Sequence, residues 1–155
     1  MDAALDAIVE KIARAAERGR PLRIRGGGTK DFYGNAPAGA LLDTTGHAGL
    51  VAYEPTELVV TVRTGTRLAE LEAALAEKGQ MLAFEPPRFG ASTIGGAVAT
   101  AMSGPRRAYA GAARDFVLGV RCLSGRAERL SFGGRVMKNV AGYDVSRLMS
   151  GAFGT

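Results

Sequence analysis

The sequence predicts an α+β domain, and three observations carry that prediction: two stretches with apolar residues at helical spacing, a β-branched run, and a late pair of strand-like segments around a turn. Taken in chain order, Leu5, Ile8, Val9, Ile12 and Ala16 define an amphipathic helix over 3–18, ended by Arg20-Pro21. A short strand is expected over 22–25, followed by a glycine loop and then by short strands near 40–43 and 50–53. The clearest strand is 58–62, Leu-Val-Val-Thr-Val, which is nearly continuous and β-branched in the manner of a strand covered on both faces. Leu68, Leu71 and Leu75 set a second helix over 67–78, with Gly79 as its stop. Residues 116–123 and 128–132 read as a hairpin around Ser124-Gly125-Arg126, and 145–149 as a short helix. With no internal repeat and no linker, residues 1–155 are read as one domain.

Composition narrows the function classes. With 155 residues, 46% of them hydrophobic, the chain can bury a core, and its 22 glycines are about twice the usual share. One cysteine, Cys122, rules out an internal disulfide framework and fits a reducing compartment. One histidine, His47, makes a Cys/His zinc site implausible, so no metal ligands are nominated. The first turns carry Asp2, Asp6 and Glu10 and lack the basic and apolar blocks of a signal peptide, which makes the cytoplasm the expected location. The formal charge is +5, and Lys11, Arg14, Arg18, Arg20, Arg23, Arg25 and Lys30 form the densest basic stretch. Glu10 and Glu17 interrupt that stretch and aromatic residues do not, so it reads as a solvated face rather than a nucleic-acid surface. A diphosphate ligand or an acidic partner would also use this charge.

Two segments carry the chemistry. Arg25-Gly26-Gly27-Gly28-Thr29-Lys30 follows directly on Pro21-Leu22-Arg23-Ile24. A strand running into three glycines presents successive N–H groups with no Cβ in the way, the local form of an anion-binding nest. Something phosphorylated is expected there, although neither the dinucleotide G-x-G-x-x-G spacing nor the Walker pattern fits, and a plain strand-to-loop turn would also account for it. A β-branched residue at Gly27 or Gly28 is expected to block a pyrophosphate while leaving the core intact. The second segment runs from Gly90 to Gly104 after Glu85-Pro86-Pro87, and from Phe89 to Pro105 it contains no charged side chain. Backbone and hydroxyl groups must supply its polar contacts, which suits close packing against a large ligand or, equally, a tightly packed buried helix start. Broken by glycines and flanked by prolines, it is a poor membrane span.

Four ordered blocks now carry a resemblance: Arg25-Gly26-Gly27-Gly28-Thr29, then Ser92-Thr93-Ile94-Gly95-Gly96-Ala97-Val98-Ala99, then Arg114-Asp115-Phe116-Val117-Leu118-Gly119-Val120, then Lys138-Asn139-Val140-Ala141-Gly142-Tyr143-Asp144. Together they resemble the FAD-binding domain of the p-cresol methylhydroxylase (PCMH)/vanillyl alcohol oxidase type. Glu54-Pro55-Thr56-Glu57-Leu58, Gly104-Pro105-Arg106-Arg107 and Gly133-Gly134 ahead of Val136-Met137-Lys138-Asn139 are most similar to the E-subunit family of bacterial glycolate oxidases. The resemblance spans nearly the whole chain from Pro21 onward. It implies a PCMH-type fold with two small α/β subdomains. The family continues into a further strand and a cap domain after the motif ending at Thr155, so the resemblance implies a C-terminally incomplete domain without its cap. Related hydroxyacid dehydrogenases commonly read Gly-Gly-Asn where this chain has Gly95-Gly96-Ala97, so a side-chain amide is absent.

The same resemblance implies site roles. Arg25 and the backbone of Gly26, Gly27, Gly28, Thr29 and Lys30 would hold the FAD pyrophosphate, with the Thr29 hydroxyl and the Lys30 charge in support. Thr93, Gly95 and Gly96 would line the other side, Pro87 would shape the approach, Ser103 and Gly104 would close it, and backbone near Val120 would meet the adenine. Lys138, Asn139, Gly142 and Tyr143 are further candidates, Tyr143 being equally readable as a half-buried packing aromatic. FAD is expected to be noncovalent, since neither loop contains His or Cys. Oxidation of a 2-hydroxy acid needs a base facing the flavin. His47, in Gly46-His47-Ala48-Gly49, reads as an exposed turn histidine, so no catalytic residue is named. The implied function is a FAD-binding subunit of a glycolate or other 2-hydroxyacid oxidase complex, partnered by a second flavoprotein and an iron–sulfur subunit and without transmembrane segment. The alternatives are a noncatalytic assembly subunit with a degenerate pocket and a FAD-dependent oxidoreductase of different substrate.

Overall fold

The computed structural model describes residues 2–135 and 142–154. Helix α1 (Ala3–Glu17) is capped by Asp2, whose carboxylate accepts from the Leu5 N–H at 3.2 Å. Strand β1 (Leu22–Arg25) pairs in parallel with β2 (Ala40–Asp43), Leu22 opposite Ala40 and Arg25 opposite Asp43. A parallel pair cannot be closed by a tight turn, so residues 26–39 form the crossover. The glycine run is the first part of that crossover.

Strand β3 (Leu50–Glu54) pairs antiparallel with β4 (Val59–Val62) through a short 3₁₀ turn at Pro55–Glu57. The predicted strand over 58–62 loses its first residue: Leu58 adopts φ 56°, is 75% exposed and serves as the turn's last residue. The rest of β4 is half-buried rather than buried, so the expectation of full cover on both faces is corrected. A third pair, β5 (Gly119–Leu123) with β6 (Arg129–Gly133), forms the predicted hairpin. Its first strand starts at Gly119 rather than residue 116, because Ala113–Phe116 winds into a 3₁₀ turn whose Asp115 carboxylate accepts from the Ala112 N–H at 2.8 Å.

The core lies where α2 (Leu68–Ala76) and α3 (Ile94–Thr100) meet the β3–β4 pair. Leu68, Leu71 and Leu75, the three residues that marked the second helix in sequence, are buried together with Phe84, Ile94, Ala97 and Ala113, and Tyr53, Val60 and Val62 pack against them. Fully burying side chains of this size stabilises by about 1.5–3 kcal/mol each. Ala97 has no exposed surface and faces apolar packing. Short helices α4 (Arg107–Ala110) and α5 (Val145–Leu148) complete the domain. Mixed helices and small paired strands make it α+β, as the sequence predicts. No helix among the described residues is long and apolar enough to cross a membrane.

Candidate functional site

The end of β1 delivers residues 26–30 against residues 91–96, so the two glycine segments of the sequence become neighbours in space. A Cβ on Gly26 would lie 2.7 Å from Thr93 Oγ1, and a Cβ on Gly27 would overlap the carbonyl oxygen of Ala91. Glycine at 26 and 27 is therefore dictated first by contact between the two segments. Ser92, 2% exposed, is the polar hub of the seam. Its Oγ shares a 2.8 Å hydrogen bond with Thr29 Oγ1, accepts from Lys30 Nζ at 3.4 Å and donates to the Phe89 carbonyl at 3.0 Å. Lys30 Nζ also lies 5.8 Å above the Phe89 ring and close over Gly96, where a Cβ would meet it at 4.0 Å. Burial pushes the Lys30 amine below its ordinary value.

Arg25 is accounted for differently. Its Nε donates to Asp31 at 2.7 Å and its Nη2 stands 2.6 Å from the same carboxylate oxygen, a pairing that raises the guanidinium's affinity for its proton. The pair closes the loop from residue 25 to residue 31, with the guanidinium folded against Gly28, whose φ is +69°. The N–H groups of Gly26, Gly27, Gly28, Thr29 and Lys30 have no protein acceptor among the described residues. A half-buried run of such donors beside an amine that lacks a carboxylate partner has the chemistry that binds an anion.

The N-terminus of α3 is spent on the protein itself. Ile94 N–H donates to the Thr66 carbonyl and Gly95 N–H to the Thr64 carbonyl, each at 2.9 Å, while Gly96 N–H is capped by Thr93 Oγ1 at 3.2 Å. Gly95 lacks a Cβ because Thr64 occupies the space, with both its Cβ and its carbonyl oxygen 2.7 Å from where one would sit.

The remaining predicted residues make other contacts. Pro87 is half-buried on the approach to Phe89. Gly104 N–H donates to the Phe84 carbonyl at 2.9 Å, and Ser103 Oγ accepts from the Ala113 N–H at 3.0 Å, so both tie the 84–85 and 112–113 segments together. Val120 sits in the β5–β6 hairpin opposite Phe132. Tyr143 is 93% exposed rather than half-buried, and Gly142 is exposed, while Lys138 and Asn139 lie outside the described residues. His47 is not the exposed turn residue expected: its side chain is 19% exposed, with Nδ1 3.1 Å from Asp2 Oδ2 but off the direction of a hydrogen bond. Arg63 Nε reaches the same oxygen at 2.9 Å, and the Asp2 carboxyl is held below its usual range chiefly by the Leu5 N–H.

Sequence reasoning missed Ser92, Phe89 and Arg67 as members of this site. Arg67 Nη1 donates to the Ala91 carbonyl, and the residue forms a bridge with Thr93. A serine between an alanine and a threonine, or an arginine at a helix entrance, carries no pattern that separates it from ordinary surface polarity. Only the docking of the segments reveals these positions.

The loop of residues 26–30, set in an α+β domain, has the donor chemistry that suits a phosphorylated ligand. The profile of the family described as a FAD binding domain matches residues 4–133, and the chain belongs to that family. FAD is therefore its cofactor class, and the free donors of residues 26–30 with Lys30 are suited to the diphosphate. The chain is 51% identical over 149 residues to "Glycolate oxidase subunit GlcE" of Escherichia coli, an alignment covering 96% of this chain and 43% of that protein. It is 30% identical to "Glycolate oxidase subunit GlcD" of Bacillus subtilis, covering 97% of this chain and 32% of the relative. It is 32% identical to "D-lactate dehydrogenase" of Archaeoglobus fulgidus, with 91% and 32% covered. The chain thus spans less than half the length of these curated relatives.

Proposed function

We propose that this chain is the FAD-binding part of an oxidoreductase subunit acting on 2-hydroxy acids, within a glycolate-oxidase-like complex in the cytoplasm. The observation that carries the reading is the run of free N–H donors from Gly26 to Lys30, held in place by Ser92 and the Arg25–Asp31 pair. When bound, FAD would supply the two-electron acceptor needed to take a hydride equivalent from the α-carbon of the acid. The chain's own residues bind and orient. Backbone donors and Lys30 hold the diphosphate, Thr29 and Ser92 fix the loop, and Phe89 screens Lys30 from water. The relatives named as glycolate oxidase subunits and D-lactate dehydrogenase support the substrate class.

With His47 held at the α1 cap against Asp2, the substrate-side base is expected from outside this chain. Partners would be a second flavoprotein and an iron–sulfur subunit. The test has two parts. The purified chain should take up FAD and release all of it on acid precipitation, since the loops hold no His or Cys to form a covalent link. Glycolate-dependent dye reduction should be negligible for the chain alone and appear with its partners. Failure to bind FAD, colour retained in the acid pellet, or turnover by the chain alone that is abolished by His47→Ala would each overturn the corresponding part.

A further inference from the structure

The geometry points to Arg67, together with Lys30, as the source of the positive charge that meets the FAD diphosphate, in place of Arg25. This inference rests on the reading of residues 26–30 as the diphosphate site. Arg25 precedes the glycines and has the expected residue type, but its guanidinium is already engaged by Asp31, through Nε at 2.7 Å and Nη2 at 2.6 Å. Its charge is cancelled locally, and its donors on that edge are used. Within the loop its part is to hold the backbone in shape.

Arg67 is placed from the opposite side. It sits at the entrance of α2 in extended backbone, bridged to Thr93, while the next residue, Leu68, donates its N–H to the Ser92 carbonyl at 2.9 Å. These contacts fix its Cα beside the second glycine segment. Its side chain then crosses the seam: Nη1 donates to the Ala91 carbonyl and stands 3.2 Å from the position a Cβ on Gly27 would take. The guanidinium is therefore at the edge of the donor run, anchored by one N–H with the rest of its fork free. No carboxylate lies within ion-pair distance of Arg67 or of Lys30 among the described residues. Two uncancelled cations thus flank the nest, one for each of the single negative charges on the two phosphates. A planar fork with spare donors suits a phosphate oxygen pair, and anchoring lowers the entropy lost on binding.

The test titrates the apo chain with FAD, and with riboflavin as a ligand lacking phosphate, at several salt concentrations by flavin fluorescence. Arg67→Gln is expected to weaken FAD about 10- to 100-fold, the range of a lost charge-assisted contact, to flatten the salt dependence, and to leave any riboflavin binding unchanged. Arg67→Lys should restore part of the affinity and most of the salt dependence. If Arg67→Gln melts well below the parent, Arg67→Met at matched folded fraction takes its place, read by the same salt slope. FAD affinity and salt slope equal to the parent in the folded variants would overturn the assignment while leaving the FAD reading intact. A parent that binds no FAD would overturn the FAD reading itself, and the assignment with it.

Discussion

Residues 26–30 and residues 92–96 are alike in composition, both built from glycine and small hydroxyl side chains, yet the fold uses their backbones in opposite ways. In the second segment each N–H at the start of α3 is committed, to Thr66, to Thr64 and to the Thr93 hydroxyl. In the first, the corresponding donors have no protein acceptor among the described residues. Glycine is needed in both for the same reason, close approach of neighbouring protein atoms: the Ala91 carbonyl at Gly27 and Thr64 at Gly95. Glycine content therefore marks where backbones meet. The fate of the N–H groups separates the proposed ligand loop from the segment that is committed to the protein itself.

The largest expected effects come from filling those two positions. Gly27→Val and Gly95→Val should each destabilise the domain by about 1–3 kcal/mol, since the new side chain displaces fixed backbone rather than a flexible tip. This revises the sequence-based expectation that Gly27→Val would spare folding. Urea denaturation of the apo proteins measures the cost, and FAD titration at matched folded fraction separates the segments. Gly27→Val should lose FAD binding, whereas folded Gly95→Val should keep most of it. Equal loss in both would erase the distinction drawn between the loops.

A smaller pair of substitutions sharpens the same contrast through side chains. Ser92→Ala removes the hub shared by Thr29, Lys30 and Phe89 and should cost about 1–2 kcal/mol by leaving half-buried polar groups without partners. Thr93→Ala removes the α3 cap and should cost about 1 kcal/mol. Their effects on ligand should differ more than their effects on stability. Ser92→Ala frees Thr29 and Lys30 and should weaken FAD, while Thr93→Ala acts on a helix start that offers the ligand no free donor. FAD affinity reduced more by Thr93→Ala than by Ser92→Ala would count against this division.

Much of the fold was legible because its signals are local. Leu68, Leu71 and Leu75 fall on one helical face and become the buried side of α2, and the turn at Ser124-Gly125-Arg126 joins β5 to β6. Errors arose where a local contact overrode a pattern. Leu58 continues an apolar run but is turned into left-handed backbone by Pro55–Glu57, and Phe116 is drawn into a 3₁₀ turn held by Asp115. In the candidate site the glycine loop was legible in the sequence, whereas the pairing of Arg25 with Asp31 was not. Arg25 and Asp31 are six residues apart, a spacing no helical or strand periodicity flags, and their pairing is visible only once the loop closes. Ser92 and Arg67 enter through tertiary contact alone, and His47 lies beside Asp2, the N-cap of α1.

The smallest effect expected is a pH dependence that tests whether residues 26–30 form a site at a cost to the empty protein. Burial lowers the Lys30 amine below its ordinary value of 10.5, so below the lowered value the folded protein carries a charge that is better solvated in the unfolded chain. The sign follows from proton counting. Between the folded value and 10.5 the unfolded state binds more protons than the folded state, so stability rises with pH across that window, and the penalty is fully present below it. Apo parent should therefore gain stability relative to apo Lys30→Gln as pH climbs toward 10.5, by a modest amount because the amine is still partly solvated. Saturating FAD should flatten the trend, because a diphosphate beside Lys30 favours the charged amine and raises its value back toward the ordinary one. Chemical denaturation of both proteins from neutral pH to pH 10.5, with and without FAD, reads the two slopes. A parent-to-variant difference that stays flat in both series would mean that Lys30 is a solvated surface lysine, and the first glycine segment would lose the one charge that sets it apart from the second along the sequence.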